Sequence, residues 1–321
     1  MSVDVGGIKK TFDGIVANIE KVITGKSGEI RLALAAMLAG GHVLLEDVPG
    51  TGKTMFAKSL AKSIDIKFSR VQFTPDLLPS ELVGINFYSP KSGDFVFREG
   101  SLFANIVLAD EINRATPRTQ SGLLESMEER QITVDGKTHI LAFPYFVIAT
   151  QNPIETQGTF PLPEAQLDRF LIQLTLGYPT RDEAAAIMKK FVAEEPLADL
   201  SPVCNAADII AAQAAVKNVY IHDDIHKYIV DIAEGTRVHE AVIMGISTRG
   251  TIALAKMAQA YCAIMGQDFV TPKDILHLIP FVFPHRIALK GGVRNRLSAV
   301  QSVLDEVIVN TKAPTEEWKR Q

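Results

Sequence analysis

The chain has almost no cysteine. Its only two, Cys204 and Cys262, lack metal-site spacing, so they read as reduced core residues of a cytosolic protein. It also lacks an excess of either charge. Lys plus Arg total 33 against 37 Asp plus Glu, a net charge of −4, which gives no support to a nucleic-acid or membrane-surface partner. A long apolar run is missing too. The most apolar stretch, 30–45, is broken by Gly40, Gly41 and His42, so no membrane insertion is expected. The first ten residues, MSVDVGGIKK, carry no signal-peptide core, and a cytoplasmic location is expected. Internal repeats and low-complexity tracts are absent. What remains is 321 residues, 47% hydrophobic and 22% charged, a globular chain of one large domain or two ordinary ones.

The rest of the chain is organised around His42 to Thr54, HVLLEDVPGTGKT. Val43, Leu44 and Leu45 form an apolar run too short for a helix and right for a buried strand. Met55, Phe56, Ala57, Leu60 and Ala61 follow at helical spacing. A glycine loop between strand and helix is the context of a phosphate-binding loop. Its backbone N–H groups and the helix N-terminus point at an anion. Pro49, Gly50, Thr51, Gly52, Lys53, Thr54 and Met55 are the candidate ATP contacts. Lys53 would reach the outer phosphates, and the Thr54 hydroxyl would ligate Mg²⁺. The pattern Gly-x-x-x-x-Gly-Lys-Ser/Thr puts its first glycine at position 47, where this chain has Asp47, a departure that lowers the motif's own specificity.

Helical periodicity runs over 8–24 and 28–39. Apolar strands are expected at 43–45, 66–73, 105–111, 145–150 and 171–176, with helical segments between them. Such strands imply an α/β fold with a parallel sheet covered on both faces. Two hairpins interrupt the pattern, at 85–98 and at 132–141, the second with an Asp135-Gly136 turn. The aromatics Phe87, Tyr88, Phe95 and Phe97 alternate in the first and are expected to pack rather than to stack on bases. Gly177 to Thr180 marks a boundary. Beyond it only helices are expected, at 181–193, 205–216, 222–234, 247–265, 272–279 and 296–309. The expected division is a nucleotide-binding part, 1–178, and a helical part, 179–321.

Asp110 and Glu111 end an apolar strand, where ligands bind in open α/β sheets. Asp110 would hold Mg²⁺ through water, and Glu111 would be the general base for the attacking water. Asn152 ends the next strand and either holds the lytic water or forms a turn before Pro153. Arg169, just before the fifth strand, is a candidate cation for the developing γ-phosphate charge. Its alternative is a surface pair with Asp168, which would contribute little. It is expected across the sheet from a site built by the first and third strands. Arg249, after the N-cap candidate Ser247, is a similar candidate. His222 and His226 stand at i and i+4 but lack the glutamate of a metalloprotease site, so no metal is assigned there.

With these residues in place, the chain resembles the MoxR family of AAA+ ATPases. The matching stretches are VPGTGKT, VQFTPDLLPSEL, FREGSLFANIVLADEINRA, LLESMEERQITVDG, VIATQNPIETQGTFPLPEAQLDRF and GISTRG, between about 40 and 250. The resemblance implies a P-loop AAA+ core with strand order 5-1-4-3-2 and a C-terminal all-α lid. It implies sensor 1 at Asn152, an arginine finger acting on the neighbouring subunit's nucleotide at Arg169, and sensor 2 at Arg249. Val22 and Ile23 match the adenine-side contacts. The hairpins match the helix-2 insert and the pre-sensor-1 hairpin. It further implies an ATP- and Mg-dependent chaperone that remodels, matures or activates clients as a homo-oligomeric, six-membered ring with a von Willebrand factor A domain partner. Three rivals remain: the motor subunit of a metal chelatase, a DNA translocase, and a nucleotide-gated scaffold without turnover. The hairpin tips, Lys91 against Asp94 and Asp135 against Lys137, are not basic and disfavour the translocase. Intact Lys53, Asp110, Glu111 and Arg169 disfavour the scaffold.

Overall fold

A computed structural model describes residues 4–48, 50–152, 158–193, 195–291 and 296–314. Two helices open the chain, α1 (Val5–Glu20) and α2 (Ser27–Leu38). The elements β1 (Val43–Glu46), α3 (Lys53–Ile64), β2 (Phe68–Gln72) and α4 (Pro79–Val83) follow. A hairpin, β3 (Ile85–Ser89) and β4 (Asp94–Arg98), precedes β5 (Ile106–Asp110) and α5 (Pro117–Glu129). A second hairpin, β6 (Gln131–Val134) and β7 (Lys137–Ile140), leads to β8 (Phe146–Gln151), α6 (Glu164–Leu167) and β9 (Ile172–Leu174). The rest is α7 (Arg181–Ala193), α8 (Ala206–Ala215), α9 (Asp223–Val238), β10 (Val242–Met244), α10 (Thr248–Met265), α11 (Pro272–Val282), β11 (Ala288–Leu289) and α12 (Arg296–Asn310).

The sheet is parallel, ordered β2-β5-β8-β1-β9. Counting the sheet strands by sequence gives 2-3-4-1-5, the expected order read from the other edge. Side chains alternate between its faces because the strand period is two. Val43, Leu45, Ile106, Leu108, Phe146 and Ile148 bury on one face with α1, α2 and α3. Leu44, Val107, Ala109, Val147 and Ala149 bury on the other, against Leu123, Leu124 and Met127 of α5. Both faces being covered, the central strands β1, β5 and β8 are apolar over most of their length rather than alternating, while the edge strand β2 buries only Val71.

The first core does not stop at the sheet. It runs through α2, buried at Ile30 and from Leu32 to Leu38, into Ile229, Leu254, Met257, Leu278 and Leu304 of the later helices. A helix apolar on all sides is stable only in such a sandwich. The later part is helical, with one addition: β10 and β11 pair antiparallel, Val242 opposite Leu289. Strands of two and three residues carry too little periodicity to be read from sequence.

The hairpin aromatics correct the expectation of packing. Phe87, Tyr88 and Phe95 are exposed, Phe95 at 68%. Tyr88 and Phe95 meet each other, edge to face at 5.8 Å, whereas Phe97 is stacked on His139 of the second hairpin with centroids 3.9 Å apart. A two-stranded ribbon has no second layer of its own to cover it. His222, in turn, is the N-cap of α9, its Nδ1 accepting from Asp224 N.

Candidate nucleotide site

The loop between β1 and α3 has the geometry of an anion cradle. Gly50 and Gly52 have φ of +86° and +89°, a region that side chains with a Cβ avoid. No side chain caps the N-terminus of α3, which leaves first-turn N–H groups for an anion. Lys53 Nζ donates to the carbonyls of Asp47 (3.0 Å) and Val48 (3.4 Å), which holds the ammonium against the loop. A Cβ at Gly50 would meet nothing within 4 Å, so the cradle is open where a phosphate chain would lie. These features fit a nucleotide. Pro49 lies outside the described residues. Ile23 touches the loop, its Cδ1 3.7 Å from a Cβ built on Gly52. Val22 is 2% exposed and belongs to the core. Met55 is half-buried against the same core.

Asp47 is explained by its partners. Its Oδ1 accepts from Val48 N (2.9 Å), and its Oδ2 from Leu176 N (2.8 Å) and Gly177 N (2.9 Å). Asp47 is 4% exposed and does not have positive φ, so nothing in the backbone demands glycine. The carboxylate ties the phosphate loop to the turn after β9. Restoring the pattern by Asp47→Gly should therefore destabilise the protein. Three N–H groups lose their acceptor, at about 1–3 kcal/mol for each that stays buried and unpaired. Thermal or urea unfolding measures it, and unchanged stability would refute this role.

The strand-end acids stand at the same end of the sheet as the loop. Asp110 closes β5, and its Oδ1 accepts from Thr150 Oγ1 (2.7 Å). Its Oδ2 accepts from Arg70 Nη2 (2.7 Å). Glu111 has φ 56° and ψ 49°, a left-handed conformation costly for a side chain with a Cβ. Thr150 Oγ1 holds it there by accepting from Glu111 N (2.8 Å). Glu111 Oε2 accepts from Gln72 Nε2 (2.8 Å) and pairs with Arg114 Nε (3.2 Å). Asn152 follows β8, which lies between β1 and β5, and is 7% exposed. Lys53, Thr54, Asp110, Glu111 and Asn152 thus share one end of three adjacent strands.

Arg169 and Arg249 are elsewhere. Arg169 precedes β9, which pairs directly with β1 in parallel, Val43 opposite Ile172. The expectation that it lies across the sheet is thus corrected: the separation runs along the strands, not across them. Arg169 sits at the N-terminal end of the strands, while the phosphate loop leaves from the C-terminal end. Four residues of β1 span about 13 Å at about 3.3 Å per residue. Arg249, in the first turn of α10 after the N-cap Ser247, joins Arg169. Both pair with Glu128, Arg169 at 3.2 Å and Arg249 at 2.7 Å. The alternative pair of Arg169 with Asp168 is not formed. Asp168 instead accepts from Arg286 Nε (2.7 Å) and Ser247 Oγ (3.2 Å). Arg286 is 3% exposed and also donates to the carbonyls of Phe170 (2.6 Å) and Leu171 (3.1 Å).

Gln72, Thr150, Glu128 and Arg286 were not singled out from sequence. Their partners lie 39 residues away for Gln72 and Thr150, 121 for Glu128 with Arg249, and 118 for Arg286 with Asp168, and no local pattern carries such pairings.

A parallel sheet in this order, with a phosphate loop after its fourth strand and helices closing over one face, is the architecture of AAA+ P-loop ATPases. Comparison with known proteins agrees. Residues 42–172 match the ATPase family associated with various cellular activities, and 234–307 match the AAA lid domain. The chain is 49% identical over 301 residues to the uncharacterized protein YeaC of Bacillus subtilis, covering 94% of each. It is 36% identical to Chaperone MoxR1 of Mycobacterium tuberculosis, covering 94% of this chain and 80% of that protein. A solved structure from Cytophaga hutchinsonii, described as a candidate ATPase, superposes with a TM-score of 0.89 at 32% identity over 97% of both chains. The chain belongs to the MoxR family of AAA+ ATPases, and ATP hydrolysis is its chemistry.

Proposed function

We propose that this ATPase is a remodelling chaperone that works as a ring of identical subunits, expected to number six, with ATP and Mg²⁺ bound between neighbours. The observation that carries the reading is the division of the site. The phosphate loop and acids occupy one end of the strands and the arginines the other, so one chain does not bring all of them to one nucleotide. A head-to-tail contact would do so, and such contacts close into rings when the rotation allows. In this reading Lys53 holds the outer phosphates, Glu111 takes the proton of the attacking water, and Asn152 orients that water. Val22 and Ile23 lie on the adenine side. Thr54 and Asp110 hold Mg²⁺, which supplies charge neutralisation on the phosphates when bound. Arg169 and Arg249 act on the nucleotide of the neighbouring subunit. The boundary between nucleotide-binding part and lid is put at 178/179, shortly after β9 ends at Leu174.

The name of the Mycobacterium relative supports a chaperone role. So do the exposed Phe87, Tyr88, Phe95 and Val96 of the first hairpin, since apolar patches of this kind mark interaction sites; a client protein fits them better than a phosphate backbone does. A von Willebrand factor A domain protein is the expected partner. No helix among the described residues is long and apolar enough to cross a membrane. The assembly reading is tested by diluting the protein. ATP turnover per subunit should fall as concentration falls, in step with dissociation seen by sedimentation. Turnover that stays constant down to the monomer would overturn it.

A further inference from the structure

We propose that Glu128 is a positioning residue that holds Arg169 and Arg249 as one unit, spaced to engage a single terminal phosphate; this rests on the reading that both arginines serve a neighbour's nucleotide. Glu128 divides its carboxylate between them. Oε2 pairs with Arg169 Nη2 and Oε1 with Arg249 Nη2. The two arginines come from separate parts of the chain, one before β9 and one in α10. The two segments meet at the Ser247–Asp168 hydrogen bond (3.2 Å), but as like charges the guanidinium groups themselves repel, and Glu128 pairs with both.

The backbone on either side of this carboxylate is held in place. One residue before it, the Met127 carbonyl accepts from His42 Nε2 (3.0 Å). Val147 N donates to His42 Nδ1 (2.9 Å), which places the ring proton on Nε2. Burial first, then the Arg130 charge, hold His42 well below the usual histidine range, so the ring is neutral and keeps this tautomer. Two residues after Glu128, Arg130 donates to the carbonyls of Tyr145 (3.0 Å) and Gly40. Glu128 therefore stands on backbone fastened to β1 and β8, while the arginines are brought to it.

Charge points the same way. Among the described residues, the cleft around the pair is lined by Arg130, Arg169, Arg249, Lys256 and Arg286, with Glu128 and Asp168 as its acids. Asp168 is committed to Arg286 and Ser247, which leaves Glu128 as the counter-charge for the two arginines. The cleft keeps a net positive charge and suits an anion. Among the described residues Arg169 Nε has no hydrogen-bond partner, so the guanidinium keeps a donor after pairing with Glu128. Ion pairs as exposed as these, with Arg249 at 51%, contribute little to stability. What Glu128 supplies is geometry, and a misplacement of about 1 Å in a positioned group can cost about 10²-fold in rate.

The test uses the full chain. Glu128→Ala should lower kcat by about 10- to 100-fold, with KM for ATP within about threefold of wild type and an unchanged melting temperature. Glu128→Gln, which keeps the shape and loses the charge, should be similarly slow, and Glu128→Asp should recover part of the rate. Mixing places the defect. Glu128→Ala with Lys53→Ala should regain activity, because the Lys53→Ala subunit presents intact arginines to its neighbour's working phosphate loop. Glu128→Ala with Arg169→Ala should not rise above Glu128→Ala alone, because both lesions lie on the same face. Recovery in that second mixture, or wild-type kcat in Glu128→Gln, overturns the proposal. The control is Arg169→Ala with Lys53→Ala. If it fails to recover, the assembly reading has failed and Glu128 falls with it; if it recovers, a negative result belongs to Glu128 alone.

Discussion

Arg169→Ala is expected to lower kcat by about 10³–10⁵-fold, the effect of removing an arginine finger from phosphoryl transfer, and to leave ATP affinity near wild type. Affinity survives because Lys53 and the glycine loop are at the other end of the strands and belong to the same subunit as the bound phosphates. Lys53→Ala should fail for the opposite reason, since the phosphates lose their main cation. Each variant is inactive alone. Mixed, they should recover, because an Arg169→Ala subunit keeps a working phosphate loop and its Lys53→Ala neighbour supplies the arginine. Steady-state ATPase assays on the separate and mixed proteins, with calorimetry for affinity, measure both parts. No recovery, together with activity independent of concentration, would mean that Arg169 serves its own subunit or is structural.

Glu111→Gln should bind ATP and lose about 10²–10⁴-fold in turnover, the usual contribution of a general base. The amide cannot accept the water's proton. Its remaining carbonyl oxygen can still accept from Gln72 Nε2, which Glu111 does at 2.8 Å. Thr150 still holds the backbone through Glu111 N, so the fold should be kept and the loss should be chemical. Single-turnover hydrolysis separates that loss from binding. Turnover within about twofold of wild type would place the base elsewhere. The same variant, held in its ATP-bound state, is the form with which to capture a client from a lysate.

The two parts of the site differ in how legible they were, for a physical reason. Strand, glycine loop and helix are consecutive, so the phosphate loop was readable from thirteen residues. Asp110 and Glu111 were readable because an apolar strand ending in two acids is a local pattern as well. Ser247 was read as a cap, and it accepts from Gly250 N at 3.1 Å. Asp47 read as a flaw in the motif because its three N–H partners include Leu176 and Gly177, 129 and 130 residues away. The first hairpin was read at its observed bounds and the second within one residue at each end, but the side of the molecule on which their aromatics would stand was not. Alternation shows that two faces exist and cannot show whether a second layer covers either.

Periodicity, turn chemistry and strand-end acids are properties of a few neighbouring residues, and from these the parallel sheet, the later helices and the end of the sheet that carries the glycine loop and the acids can be read in the sequence. Tertiary structure alone decided which end of the strands each cation occupies. Arg169 is close to β1 in sheet order and yet a strand's length from its loop, because parallel pairing aligns the start of β9 with the start of β1. It alone brought Arg249 to Arg169, across 79 residues between Asp168 and Ser247, and set both on Glu128. These are long-range pairings of charged side chains, fixed by how the helices pack on the sheet, and no short stretch of sequence contains them.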